Sequence, residues 1–413
     1  MEPDRAARLS DYYTPEERLL ILASRTEPTD IQRIHELLAD GVDWETVLAT
    51  AESHRIVSLL YRKLRDHCGE QTPDRVLNRL RTRAETITKQ NLRYTQAMLE
   101  IVQAARDAGI RVLPYRGPVL AEVGYGGLGL RQFGDIDLLI APEDIDAMRD
   151  IVLEHGYEPD YFLESTDSLT DAQEQAYEKY AREVPFQNDA GVELELHWQV
   201  TWDYFPTEIT LETVWNRRQE VSVAGTAVAG LSPEDRLLML LVHGSRHAWE
   251  RLGWVVDIDE TVQRLEIAWD VVWARAEDQH CQRMVALGLL LARDLFGTDV
   301  PAPVARYSAG DETLDALREQ WHAETLSGPT RDYFGCHLYH VKVLDRRRDV
   351  LRLWLSRVSN PGRPSLELVA LPASLLGLYR LVRVYRLLVW SLGRLYGGSN
   401  VSRNPYVSEG RYE

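Results

Sequence analysis

Hydrophobic positions recur every three to four residues over most of the chain, which is the period of a helix with one buried face. This period covers residues 15–110, returns at 231–300 and appears again at about 310–397. Residues 110–200 instead contain short β-branched segments bounded by glycine and proline, which are typical of strands. The pattern predicts an α+β fold in which a small mixed β-sheet is flanked by helical domains.

The segment between the helical stretches alternates between the two periods. We predict a strand at 110–115, a helix at 116–127, a strand at 135–142, a helix at 143–157 and a pair of strands joined around residues 190–191. The polar segment 167–183 is predicted to be a solvated helix or a lid.

Four regions follow from these patterns. They are an N-terminal helical domain (1–105), an α/β core (106–230), a helical substrate domain (231–300) and a C-terminal helical region (301–413). The sequence contains no internal repeat.

Composition narrows the class of protein. A net charge of -17 argues against diffuse attraction to nucleic acid, so any such contact must be local. Three widely spaced cysteines offer neither a disulfide framework nor a metal knuckle.

The charged amino terminus lacks the apolar segment of a secretory signal. The longest apolar run, the 11 residues 369–379, is too short to span a bilayer. We therefore expect a soluble, cytoplasmic protein without a transmembrane segment.

The C-terminal segment 375–396 carries Arg380, Arg383 and Arg386 at three-residue steps among leucine, valine and tyrosine. One interpretation is an amphipathic helix that lies on an anionic membrane or binds nucleic acid. The other is a packing helix whose arginines cover an acidic surface or extend along apolar neighbours. We favour the packing helix, and contact with a membrane surface stays open as the alternative.

The tripeptide Asp135-Ile136-Asp137 is the first candidate for chemistry. Both aspartates lie on one face of an extended segment because side chains alternate along a strand. Two neighbouring carboxylates repel each other unless a cation lies between them. Magnesium prefers hard oxygen ligands and bridges to phosphates. The tripeptide therefore suggests a magnesium site, although the tripeptide alone is more typical of a polar strand entry in which the first acid caps a turn.

Two further segments complete the candidate site. Glu193, Glu195 and His197 share one face of an alternating strand, so this strand supplies a third carboxylate. Gly117 opens a helix, where backbone N–H groups bind anionic oxygens, and Arg116 adds a cation. The order of glycine turn, aspartate strand and acidic strand is more specific than any one part.

Two other motifs are weaker. The same Asp-Ile-Asp recurs at 257–259, but within helical periodicity, where side chains two residues apart point about 200° away from each other. His243 and His247 are spaced as helical metal ligands, yet no third ligand is near them in the sequence. We predict core or substrate-pocket histidines there, with Asp257 facing them, and a packing and orienting role for His197.

The segments "YRGPVLAEVGYGGLGLRQFGDIDLLIAPEDIDAMRDIVLEHGY", "VELELHWQV" and "LSPEDRLLMLLVHGSRHAWERLGWVVDID" together resemble nucleotidyltransferases of the superfamily related to DNA polymerase β. Within it, the chain resembles the family of uncharacterised nucleotidyltransferases. The resemblance covers roughly residues 30–270 and includes an upstream helical segment.

The resemblance implies a magnesium-dependent transfer of a nucleotidyl group from an NTP, with ATP expected, to a hydroxyl acceptor. Asp135 and Asp137 would hold two magnesium ions that bridge the triphosphate. Glu195 would hold the ion that activates the acceptor, because the family's third acid lies two residues before a His-Trp pair. Pyrophosphate would leave.

One feature departs from the superfamily's pattern. Its usual Gly-Ser turn is Gly117-Pro118 here, so the serine hydroxyl that contacts phosphate is missing. Phosphate binding would then depend on Arg116, on backbone N–H groups at Gly117 and on Arg131. Two alternatives therefore stay open: a non-catalytic module that binds a nucleotide or a partner, and a toxin-antitoxin component that nucleotidylates protein or tRNA. The acceptor, the base preference and the oligomeric state are not indicated by the sequence.

Overall fold

The computed structural model describes residues 9, 11–26, 30–161, 169–201, 205–324, 326 and 333–395. The N-terminal part is helical, as predicted. It consists of α1 (Pro15–Ala23), α2 (Ile31–Asp40), α3 (Trp44–Ser53), α4 (Val57–His67) and α5 (Asp74–Asp107). The expected caps of α2 are present, since the Asp30 side chain accepts a hydrogen bond from the Arg33 N–H and Gly41 has a φ of 90°.

The central part forms a five-stranded mixed sheet. Its elements are β1 (Val112–Pro114), α6 (Gly117–Tyr125), β2 (Asp135–Ile140), α7 (Ile145–Glu154), β3 (Tyr157–Pro159), α8 (Asp171–Tyr180), β4 (Glu183–Asn188) and β5 (Glu193–His197). The strand order is β1-β2-β5-β4-β3, in which β2 and β5 are parallel and the other pairs antiparallel. The predicted α+β class with a small mixed sheet is confirmed.

The turn between β4 and β5 shows why the predicted hairpin forms. Gly191 has a φ of 69°, which residues with a side chain rarely adopt. The Asn188 side chain accepts hydrogen bonds from the N–H groups of Ala190 and Val192, both at 3.0 Å. The turn residues therefore satisfy the backbone groups that the reversal leaves unpaired.

Some elements differ from the prediction. The three-residue β3 and the hairpin of β6 (Gln219–Val223) and β7 (Thr226–Gly230), which follows α9 (Leu211–Trp215), are not indicated by the sequence pattern. The helix α8 is not solvated, because it buries Ala176 and Tyr177 and packs against C-terminal residues. Residues 167–168 of the predicted solvated segment lie outside the described residues.

The rest of the described chain is helical. It comprises α10 (Pro233–Arg246), α11 (Leu252–Arg264), α12 (Trp269–Asp278), α13 (Gln282–Phe296), α14 (Ala302–Ser308), α15 (Glu312–Glu324), α16 (Tyr333–Val343), α17 (Arg347–Ser359), α18 (Arg363–Leu368) and α19 (Tyr379–Leu395), with 3-10 turns at Pro142–Asp144 and Ala373–Leu378. Among the described residues, no helix is both long enough and apolar enough to cross a membrane. Cys68, Cys281 and Cys336 are buried and unbridged.

The buried apolar residues form two clusters that the 34-residue α5 connects. The larger cluster unites α1–α4 and the first half of α5 with α10–α13. The smaller cluster lies around the sheet, α7, α8 and the second half of α5. The sheet that carries the acidic residues therefore lies between two cores.

A buried histidine predicts acid sensitivity of this helical core. The Nδ1 of His54 accepts a hydrogen bond from the Leu252 N–H at 3.0 Å, and burial lowers the pKa of His54 from 6.5 to about 4. Because the unfolded histidine binds a proton first, its stabilising contribution is present above about pH 6.5 and is lost as the pH falls towards 4. We expect about 1 to 3 kcal/mol of this loss to depend on His54.

The measurement is urea unfolding of the wild type and of His54→Asn at several pH values. Asparagine keeps a hydrogen-bond acceptor near Nδ1 but does not titrate, so the variant should lose less stability between neutral and acidic pH. Equal losses in both proteins would contradict the assignment.

Candidate active site

The acidic residues meet because β2 and β5 are parallel neighbours. In their register, Asp135 lies opposite Glu193 and Asp137 lies opposite Glu195. Ile136, between the aspartates, is fully buried on the other face, as strand alternation requires. The two strands therefore present their acids from one surface of the sheet.

Asp137 lies at the centre of this surface and is only 2% exposed. Arg116 holds it with two hydrogen bonds, from Nε to Oδ2 at 2.9 Å and from Nη2 to Oδ1. His197 Nε2 lies 3.2 Å from Asp137 Oδ1, and the Tyr115 hydroxyl donates to the same oxygen at 3.4 Å. The buried carboxylate is thus neutralised by side chains of the protein.

His197 lies between several acids. Its Nε2 is 2.9 Å from Glu195 Oε2, and its Nδ1 is 3.4 Å from Glu183 Oε2. Burial lowers the pKa of His197, but its hydrogen bonds with Asp137 and Glu195 outweigh burial and raise the pKa to about 10. We therefore expect an imidazolium that keeps the neighbouring carboxylates together, which agrees with the predicted orienting role.

The three central acids have different protonation properties. Burial tends to raise the pKa of Asp137, yet Arg116 and His197 hold that pKa well below its usual range. For Asp135, burial and the charge of Asp137 raise the pKa. Burial and the charge of Glu183 raise the pKa of Glu195 to about 7. Among the described residues, Asp137 is in contact with both Arg116 and His197, whereas the raised pKa values of Asp135 and Glu195 indicate that a further cation beside them would be favourable.

The geometry is compatible with a metal ion. Ligand atoms of Asp137, Glu195 and His197 all lie within 4.8 Å of one another. Two of these three side chains are carboxylates, which suit magnesium, whereas His197 would have to lose its proton before its nitrogen could bind a metal ion. Asp135 is outside this close group, although it lies on the same face of β2, two residues before Asp137.

The glycine turn lies directly against the aspartate strand. Gly117 has a φ of 51°, and a Cβ placed on it would lie 3.1 Å from the Asp135 carbonyl oxygen. A side chain would be strained at this φ and would require the neighbouring backbone to shift by a few tenths of an ångström, so both observations favour glycine here. Pro118 lies in the first turn of α6, where its missing N–H costs no hydrogen bond.

Arg116 connects the glycine turn to α10. Its Nη1 lies 2.8 Å from His243 Nδ1. Burial, and then the charge of Arg116, keep the pKa of His243 well below its ordinary value, so the neutral ring can accept this hydrogen bond. The rings of His243 and His247 lie 4.6 Å apart beside Trp254. These histidines line the site, which agrees with the predicted core or pocket role.

Arg131 is placed differently from the other predicted residues. Its Nε and Nη2 donate to the two carboxylate oxygens of Asp257 at 2.7 and 2.9 Å, and the Tyr125 hydroxyl donates to Asp257 as well. The guanidinium thus closes an ion pair with α11. Asp259 instead accepts hydrogen bonds from Arg25 and Thr298, so the two acids of the second Asp-Ile-Asp diverge as predicted.

Three residues at the site were not singled out from the sequence. Tyr115 and Glu183 contact the cluster directly, and Arg55 acts on Asp135 through its charge. Tyr115 follows β1 next to Arg116, and Glu183 opposes His197 across β4 and β5. Both positions follow from strand alternation once the order of the strands in the sheet is known. The sequence does not indicate this strand order, so it could not indicate these two residues.

Two cavities lie near these elements. One of about 30 Å³ borders Arg131 and Asp257, which is room for about one water molecule. Another of about 560 Å³ lies at the far end of β1, between α5 and the β6–β7 hairpin. The second is large enough for a ligand, but it is away from the acidic strands, and we do not assign it to the reaction.

Comparison with known proteins addresses the identity of the chain. A search of curated proteins finds no significant match. The family model of uncharacterised nucleotidyltransferases matches residues 40–297, a span that contains the glycine turn, the aspartate strand and the acidic strand. Because this match covers more than half of the 413 residues, the chain belongs to the uncharacterised nucleotidyltransferase family.

Proposed function

We propose that the protein transfers a nucleoside monophosphate from an NTP to a hydroxyl acceptor in a magnesium-dependent reaction that releases pyrophosphate. The observation that carries the proposal is the parallel register of β2 and β5, which sets Asp137 beside Glu195. Membership of a nucleotidyltransferase family supports the reaction class. The magnesium ions, the NTP and the acceptor are the proposed parts.

The donor set fits magnesium. Asp135, Asp137 and Glu195 offer hard oxygens on one face, and two of the three have raised pKa values that a nearby cation would lower. Two magnesium ions held by these residues would neutralise the triphosphate and stabilise the attacking and leaving oxygens of an in-line displacement. His197 would keep Glu195 oriented by its 2.9 Å hydrogen bond.

Arg116 has two roles in this proposal. In the structure its guanidinium neutralises Asp137, the position that a metal ion would take in the substrate complex. A metal ion and Arg116 therefore compete for the same carboxylate. Once released, the guanidinium lies at the start of α6, next to the N–H groups of the glycine turn, and can bind the triphosphate in place of the missing serine.

ATP is the proposed nucleotide, and we place the reaction in the cytoplasm, where the three unbridged cysteines would stay reduced. The acceptor is proposed to be a hydroxyl on a small molecule, a protein side chain or an RNA end. Arg131 is proposed to act on phosphate mainly through its charge, because Asp257 already accepts hydrogen bonds from its Nε and Nη2.

The test is an assay of pyrophosphate release from each of the four common NTPs, with magnesium or with EDTA, in the presence of hydroxyl acceptors of the three classes. Label transferred from α-labelled NTP to an acceptor or to the protein itself would support the proposal. Calorimetric binding of NTP and magnesium without any pyrophosphate release would favour a nucleotide-binding module instead. Absence of both binding and release would exclude the nucleotide role.

A further inference from the structure

Most of the large apolar side chains that are exposed belong to one C-terminal stretch of the described chain. Of the 15 exposed large hydrophobic residues in the described part of the chain, 12 lie between Leu338 and Val389. Single exposed apolar residues are normal on a protein surface, but a contiguous group marks an interaction site. The exposed apolar side chains of the C-terminal helices therefore require an explanation, whereas the few elsewhere on the described surface do not.

The helix α17 has two opposite apolar faces. One is buried and includes Leu353. The other consists of Leu351, Trp354, Leu355 and Val358, which follow the i, i+3, i+4, i+7 spacing of a single face. These four side chains are 46% to 60% exposed. A helix that only packed on the core would carry polar residues on this outer face.

The helix α19 repeats the arrangement. Leu381, Tyr385, Leu388 and Val389 share its outer face and are 49% to 65% exposed. Its inner face is packed, because the Arg383 guanidinium is 3% exposed and donates from Nε to the Arg357 carbonyl oxygen of α17 at 3.3 Å. The two helices are thus neighbours. We call the four outer residues of α17 and the four of α19 the C-terminal apolar face.

The structure of α19 bears on the two interpretations of the C-terminal arginines, the packing helix and the membrane- or nucleic-acid-binding helix. Arg383 and Arg386 do pack, the latter with its Nη1 3.4 Å from the Ser365 hydroxyl oxygen. Arg380 lies over the Tyr180 ring at 5.9 Å. The packing interpretation therefore accounts for the arginines of α19. It does not account for Leu381 and Leu388, which lie on the opposite, exposed face of the same helix.

Charge identifies the kind of partner. Residues 346–395 contain ten arginines, no lysine and two acidic residues, in a chain whose net charge is -17. Arg347, Arg348 and Arg352 are exposed beside the outer face of α17. A symmetric contact with a second copy would bring two positive faces together, which is unfavourable. The partner should combine an apolar interior with negative charge.

We propose that the C-terminal apolar face binds the surface of a membrane that contains anionic phospholipids. The helices α17 and α19 would lie along the membrane plane, with leucines in the boundary between headgroups and acyl chains. Trp354 and Tyr385 favour this boundary because their rings are apolar with one polar atom. The exposed arginines would bind lipid phosphates while their stems stay along the apolar surface.

The test uses the full chain with two kinds of vesicle, phosphatidylcholine alone and phosphatidylcholine mixed with phosphatidylglycerol. We expect co-sedimentation with the mixed vesicles and weaker binding to the neutral ones. The variant Leu351→Gln, Leu355→Gln, Leu381→Gln, Leu388→Gln should bind at least about tenfold more weakly, because it removes apolar area from the contact. The matched control, Leu92→Gln with Leu153→Gln, changes leucines that are 52% and 41% exposed elsewhere and should bind as the wild type.

A second variant separates charge from apolar area. Arg347→Gln, Arg348→Gln, Arg352→Gln should weaken binding to the mixed vesicles by about a hundredfold and leave binding to neutral vesicles unchanged. The leucine variant and its matched control should melt at the wild-type temperature, since the changed side chains are exposed. The arginine variant also removes the 3.9 Å contact between Arg348 Nε and the buried Asp349, so its melting temperature is measured beside its vesicle binding.

Three results would overturn the proposal. The first is no binding to mixed vesicles by the wild type. The second is equal loss of binding in the leucine variant and in its matched control. The third is a wild-type dimer in light scattering that the leucine variant converts to a monomer, without vesicle binding by either protein.

Discussion

An Asp137→Asn variant is expected to lose magnesium-dependent nucleotidyl transfer by a factor of roughly a thousand or more. Metal ions supply several kcal/mol of transition-state stabilisation, and each 1.36 kcal/mol corresponds to about a tenfold change in rate. Asp137 is the acid on which Arg116, His197 and Tyr115 converge. The neutral amide keeps the shape of the side chain but removes the charge and one oxygen of the proposed metal site. The measurement is transfer of label from α-labelled NTP with and without magnesium.

The same substitution also disturbs a buried ion pair, so its effect on stability must be separated from its effect on catalysis. Breaking such a pair costs about 3 to 5 kcal/mol because the remaining charge is left buried. The matched control is Asp257→Asn, which breaks the pair of Asp257 with Arg131. The two arginines have equally exposed side chains, 14% each, and the two aspartates are almost completely buried.

We expect both variants to lose stability to a similar extent in urea unfolding. If magnesium and NTP bind as proposed, they should stabilise the wild type, and only Asp137→Asn should also lose this increase in stability. If Asp137→Asn retained full magnesium-dependent transfer, the assignment of the site would be wrong. A loss of the ligand-induced increase in both variants would mean that general destabilisation explains the result.

The parts of the site that the sequence predicts are those set by local rules. Strand alternation alone places Asp135 with Asp137 and Glu195 with His197, because each pair belongs to one strand. The turn at Gly117 is likewise a local feature, since its φ of 51° and its closeness to the Asp135 carbonyl both favour glycine. The α+β class follows from the change in hydrophobic period at Gly109.

The remaining contacts depend on residues that are far apart in the chain. Arg131 meets Asp257 across 126 residues, and Arg116 meets His243 across 127. No local pattern indicates which of several buried acids an arginine will contact. The sequence therefore does not indicate whether the Arg131 guanidinium is available to bind phosphate. The second Asp-Ile-Asp illustrates the same limit, because its helical setting was predicted but the partner of Asp257 was not.

The substitution Glu195→Gln is expected to lower activity and raise stability at the same time. At about pH 8 the carboxylate is ionised, although burial and the charge of Glu183 raise its pKa to about 7. Ionisation in the folded state is therefore unfavourable relative to the unfolded state, whose ordinary pKa is 4.5. The neutral glutamine avoids this cost, so the free energy of unfolding should rise by about 1 to 3 kcal/mol at this pH.

The sign follows from linkage. A carboxyl group whose folded pKa is raised favours the folded state while it is protonated, and this contribution is lost as the pH rises through 7. The gain from Glu195→Gln should therefore be absent at about pH 4.5 and grow towards pH 8. Urea unfolding of both proteins across this range measures it.

Transfer activity should fall by roughly a hundredfold or more in the same variant, because the carboxylate that we propose to bind the acceptor-activating metal is gone. The matched control is Glu193→Gln, on the same strand and face, opposite Asp135. Its side chain lies outside the cluster of Asp137, Glu195 and His197, so activity should stay near the wild-type value. If Glu193→Gln lost activity while Glu195→Gln kept it, Glu193 would be the third metal-binding acid. A stable, inactive Glu195→Gln would instead show that this buried charge is kept for chemistry at the expense of the fold.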